Sequence, residues 1–104
     1  MLLIEKLPEL AQELEQLLRK HGDPDLAEQV PTLEIVNRCR CEDDFCSSVC
    51  TKPEPKGPYG KGHQTLLLDP ERGMLLVDVV DRQIAFVEVL YRDDIRKALL
   101  EVLP

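Results

Sequence analysis

The sequence has no tryptophan and only two phenylalanines and two tyrosines in 104 residues. So few aromatic faces leave little for bases to stack on. Positive charge is also short, 13 lysines and arginines against 20 acidic side chains, and the net charge of -7 opposes attraction to nucleic acid or anionic lipid. Nucleic acid is therefore disfavoured as a partner. Long hydrophobic runs are missing too. The apolar runs are short ones such as Leu66-Leu67-Leu68, far from the roughly 18 to 20 apolar residues that span a bilayer. Met1-Leu2-Leu3-Ile4 runs straight into Glu5, with neither a basic leader nor a small-residue cleavage site, so no membrane association is expected and the expected compartment is the cytoplasm.

What remains suits one domain, 1–104, with 43% hydrophobic residues to build a core. Residues 8–21 carry Leu10, Leu14, Leu17 and Leu18 at helical spacing, with Pro8 at the start and Arg19, Lys20 and Gly22 at the finish. Asp23-Pro24 starts a second, shorter helix with Asp23 as its side-chain cap, and Pro31 closes a helical region over 1–31. From Leu33 the period changes to two, which predicts a cysteine hairpin over 32–51. A Pro/Gly loop, 52–63, follows. It carries Lys52, Lys56 and Lys61 against Glu54, a basic segment on an acidic body. A strand meander over 64–90 turns at Asp69-Pro70-Glu71-Arg72-Gly73 and again at Asp81-Arg82. A C-terminal helix, 93–103, is expected to be capped by Asp93 or Asp94, with Ile95, Ala98, Leu99, Val102 and Leu103 as its apolar stripe. The pattern predicts an α+β fold in two layers: an antiparallel sheet of about five strands with N-terminal and C-terminal helices packed on one face.

All four cysteines fall within the stretch NRCRCEDDFCSSVC, 37–50. In a reducing compartment clustered thiols suggest metal ligands, redox chemistry or plain reduced side chains rather than structural disulfides. A four-residue loop at 42–45 sets Cys41 across from Cys46 and Cys39 diagonal to Cys50, crowding four sulfurs into one patch. Cys39, Cys41, Cys46 and Cys50 are thus candidate zinc ligands, with His63 as a substitute for one of them. Against zinc, most structural sites use paired C-x2-C knuckles, and the first two cysteines sit about 7 Å apart along one strand face. A metal-free alternative stands level with it, because Leu33 and Ile35 share that face and free cysteine behaves as a small core residue. A redox role would need a thiol of lowered pKa, for which Arg38 and Arg40 are near in sequence but expected on the opposite face. No spacing fixes a catalytic Cys-His pair. The lysines and glycines of KGPYGKGH, 56–63, lack a P-loop arrangement and suit a recognition loop better.

The C-x-C-turn-C segment, the Gly/Pro loop ending at Gly62-His63 and the stretch VDVVD…VEVLYRDD resemble, over about 33–103, a family of small uncharacterised bacterial proteins. The resemblance implies a shared cysteine hairpin and no activity. That family has aromatic residues where this chain has Val49-Cys50, so it implies no role for Cys50. The function expected is a small non-enzymatic interaction or regulatory module with a protein partner. The alternatives are a thiol redox sensor or small cysteine-dependent enzyme, and an acidic inhibitor or immunity-type protein seated on a basic partner. A homodimer through an open sheet edge is a further possibility.

Overall fold

The structure is a computed structural model and describes residues 1–41 and 43–104. Glu42, the first position of the expected hairpin loop, lies outside them. The chain opens with a single helical turn, α1 (Leu3–Lys6), then α2 (Pro8–His21), α3 (Pro24–Ala27) and a 3-10 turn (Val30–Thr32). In α2 the buried residues are Leu10, Ala11, Leu14 and Leu18, the inward face that the spacing predicts. Gly22 ends it at φ 96°, a left-handed conformation that glycine adopts without a Cβ penalty. Asp23 does not cap α3 with its side chain; its carboxylate instead meets His21 at 2.6 Å and Arg82 at 3.2 Å.

Five strands follow: β1 (Asn37–Arg38), β2 (Val49–Cys50), β3 (His63–Leu67), β4 (Met74–Val80) and β5 (Gln83–Leu90), then α4 (Asp93–Val102). They form one antiparallel sheet in the order β1-β2-β5-β4-β3. The meander of three strands thus receives the cysteine hairpin along the outside of β5. Leu75, Val77, Val79, Ile84, Val87 and Val89 bury one face of the sheet against Leu3, Leu10, Leu14 and Leu18 of the N-terminal helices and Ile95 and Leu99 of α4. The architecture is the expected α+β one. The other face carries a row across all five strands, Asn37, Cys50, Phe86, Asp78 and Thr65, since laterally paired residues point the same way. Among the described residues no helix is long and apolar enough to cross a membrane.

Two irregularities fix where the hairpin attaches. The β4–β5 register shifts at Asp78/Val79, so Ala85 is left without a partner on β4. Its carbonyl instead accepts the Thr51 N–H at 3.0 Å, while Thr51 Oγ1 donates to the Ile84 carbonyl at 2.9 Å. The bulge thereby pins the end of β2. At the other turn Gly73 sits at φ +69°, and a Cβ there would collide with the Leu90 carbonyl and the Arg92 side chain. Replacing Gly73 by alanine is expected to cost at least ~1–2 kcal/mol from the left-handed backbone alone, readable as a lowered urea midpoint.

The expected aspartate cap on α4 is not what forms. Arg92 occupies the cap position without a side-chain cap bond, and its guanidinium takes the Asp94 carboxylate at 3.2 Å. The same guanidinium reaches across to Glu13 of α2 at 2.8 and 2.9 Å. A buried cation needs a counter-charge more than a solvated helix end needs a cap.

Candidate metal centre

The β1–β2 register pairs Asn37 with Cys50 and Arg38 with Val49, and the Cys39 N–H continues it by donating to the Ser48 carbonyl at 2.9 Å. Carried two residues further, that register brings Cys41 towards Cys46. The returning arm is held to β5: Cys46 bridges Leu90, the Ser47 N–H donates to the Val89 carbonyl, and Ser48 Oγ accepts the Val89 N–H at 2.9 Å. The outgoing arm is held by the end of the chain. Arg38 Nε donates to the Leu103 carbonyl at 2.7 Å, and Arg40 donates to the Pro104 carbonyl at 3.1 Å.

Between the two arms the sulfurs of Cys39, Cys41 and Cys46 all lie within 4.8 Å of one another. Zinc bound to each at about 2.3 Å in tetrahedral geometry would set them about 3.8 Å apart, a difference that side-chain rotation covers. All four cysteines are free thiols. Cys39, Cys41 and Cys46 line a small cavity of about 10 Å³, which Arg38, Asp43 and, from α4, Arg96, Leu99 and Leu100 complete. Arg96, one of these lining residues, has its Nε buried without a hydrogen-bond partner among the described residues.

The thiols differ in how readily they ionise. Burial pushes Cys39 up to about 11, and its thiol neighbours add to that. Burial acts on Cys46 in the same sense but is outweighed by hydrogen bonding from Ser48, whose Oγ lies 3.3 Å from the sulfur, and from Cys41 and Cys39; its pKa falls below the ordinary 9.0.

Cys50 stands apart from the other three, which corrects the expectation of four sulfurs in one patch. Its position opposite Asn37 and beside Phe86 turns it to the face without helices, where its thiol donates to Glu54 Oε1 at 3.1 Å. Burial, followed by that carboxylate, raises its pKa to about 12. Cys50 alone fits the inert core thiol. The wholly buried row expected for the others is not found, because Cys39 and Cys46 are half-buried and Cys41 is exposed. His63 does not substitute as a ligand in this geometry: its Nε2 lies 2.8 Å from Asp78 Oδ1, under the Tyr59 ring at 4.7 Å between centroids.

Arg38 and Arg96 were not visible as parts of this wall. Strand alternation placed Arg38 away from the cysteines, but β1 is only two residues long and the chain leaves the pleat after it. Nothing in the apolar stripe of α4 marks Arg96 as facing the thiols. Beside the cluster Phe45 and Tyr91 stack at 5.1 Å with 37% and 60% of their surfaces exposed, so half of the chain's four aromatic rings face water. Neither a family model, nor a curated protein, nor a solved structure matches this chain.

Proposed function

We propose that the chain is a small non-enzymatic interaction module whose cysteine hairpin is braced by one zinc ion held by Cys39, Cys41 and Cys46. The observation that carries the reading is the convergence of three free sulfurs within 4.8 Å of one another. Soft thiolate donors suit zinc, and the bound ion would tie both arms of the hairpin to each other beside α4. The interaction role is supported by the exposed Phe45–Tyr91 pair at the hairpin tip, since aromatic anchors dominate protein interfaces. Exposed Asp43, Asp44 and Asp93 adjoin it in sequence, and the whole chain carries -7, which favours a basic protein partner in the cytoplasm. The resemblance to small bacterial proteins adds no activity to this. Native mass spectrometry of protein purified without added metal or chelator tests the metal: the expected mass exceeds that of the chain by one zinc, lost on acidification. An unchanged apo mass in zinc-supplemented buffer would overturn it.

A second reading, thiol redox sensing, has its own observation in the lowered pKa of Cys46 beside the exposed Cys41. It expects fast alkylation of Cys46 by iodoacetamide at pH 8, with Cys39 and Cys50 slow, mapped by peptide mass. Zinc protects Cys46 from the reagent under the first reading, and uniform slow labelling of metal-free protein would remove the second.

A further inference from the structure

We propose that Arg96 of α4 is the outer hydrogen-bond partner of the metal-thiolate cluster, so that metal binding docks the C-terminal helix onto the cysteine hairpin. The proposal rests on the zinc reading above and concerns what the ion does to the fold around it. Three observations meet at Arg96. Its Nε is buried without a partner among the described residues, although its neighbours Arg38 and Arg92 have their guanidinium groups engaged by backbone or carboxylate oxygens. An orphaned buried donor costs free energy and calls for an acceptor that is absent from the metal-free arrangement. Next, the residue lines the same small cavity as Cys39, Cys41 and Cys46. Finally, none of the three sulfurs is tied up in a disulfide, and a cysteine that keeps its proton is a poor acceptor.

Metal supplies the missing acceptor. Zinc binds cysteine as thiolate, releasing the protons to solvent, and three thiolates around one divalent ion leave a net charge of one minus on residues that line the same cavity as Arg96. An N–H donating to an ionised acceptor is about twice as strong as a neutral pair, and outer-shell bonds of this kind orient metal ligands. Asp43 also borders the cavity, yet its carboxylate is exposed and lies outside the group of mutually close donors, so it does not satisfy Arg96. Arg38 is committed to the Leu103 and Cys39 carbonyls at 2.7 and 3.2 Å. Arg96 is therefore a positioning residue: it touches no reacting group and acts through the sulfurs.

The test uses the full chain, metal-free and with one equivalent of Zn²⁺, as wild type and as Arg96→Met. In the 1H–15N spectrum of the wild type, the Arg96 Nε–H resonance is expected to shift downfield and to exchange more slowly with solvent once zinc is added. In Arg96→Met, zinc affinity measured against a chelating dye is expected to weaken about tenfold or more, with the metal-free unfolding midpoint no lower than that of wild type. Zinc binding with unchanged affinity in the variant and no movement of the Nε–H resonance would overturn the proposal while leaving the zinc reading intact. Wild type that takes up no zinc would end both. Should the variant fail to fold, the wild-type Nε–H resonance alone decides.

Discussion

Zinc at a free concentration a thousandfold above its dissociation constant is expected to stabilise the fold by about 4 kcal/mol, raising the unfolding midpoint by about 15 to 30 °C. The gain follows from linkage, because the ion binds sulfurs that only the folded hairpin gathers. In the unfolded chain Cys39 and Cys41 on one side of the tip and Cys46 on the other are not held together. Cys46→Ser removes a thiol whose pKa is lowered and is expected to remove most of the shift, leaving a weaker two-sulfur site. Cys39→Ser should do the same. Cys50→Ala leaves the zinc-dependent increment in place, because that sulfur faces Glu54 on the other side of the sheet, whatever the substitution costs the metal-free protein. The increment also shrinks as pH falls, since protons compete with zinc for the thiolates. Differential scanning calorimetry with and without zinc reads all of these; an increment in Cys46→Ser equal to that of the wild type would count against the three-sulfur site.

Arg92→Met is expected to lose about 3 kcal/mol, the low end of what breaking a buried ion pair costs, because Glu13 keeps some contact with water. Arg92 has only 5% of its side chain exposed and holds Glu13 through two bonds of 2.8 and 2.9 Å, joining α2 to the start of α4. Methionine fills part of the volume but leaves the Glu13 carboxylate half-buried and unpaired. Adding Glu13→Gln should return part of the loss, which a double-mutant cycle in urea measures. The pair also carries a pH signature. Hydrogen bonds from Arg92 hold the Asp94 carboxyl below its ordinary 3.8, so Asp94 contributes stability above that value and loses it as pH falls through its lower folded pKa. In Arg92→Met the acid limb of the stability curve below about pH 4 should flatten. A variant as stable as the wild type at pH 7 would show that Arg92 is dispensable.

Periodicity carried most of the architecture. The leucine spacing of α2, the left-handed glycine at position 73 and the two-residue turn at Asp81-Arg82 are each decided by local chemistry, and each stands where that chemistry puts it. The two helix caps assigned to Asp23 and to Asp93 or Asp94 failed because arginines claim the carboxylates: Arg82, far along the chain, takes Asp23, and the buried Arg92, only two residues away, takes Asp94, and a capping pattern announces neither partner. The site was half legible. The hairpin register that leads Cys41 to Cys46 follows from a four-residue loop, and it is the register observed. The inward row of sulfurs was an overextension of strand alternation into a segment that is strand for only two residues. Cys50 was misplaced because its face is set by pairing with β5, and Arg96 was missed because its role depends on how α4 crosses the hairpin.

The central claim is that three sulfurs of the hairpin hold one metal ion. Zinc K-edge X-ray absorption of the loaded protein tests it most directly. The expected spectrum shows three sulfur neighbours at about 2.3 Å, reduced to two in Cys46→Ser. A shell of nitrogen and oxygen alone, or a sulfur count that Cys46→Ser leaves unchanged, would contradict it.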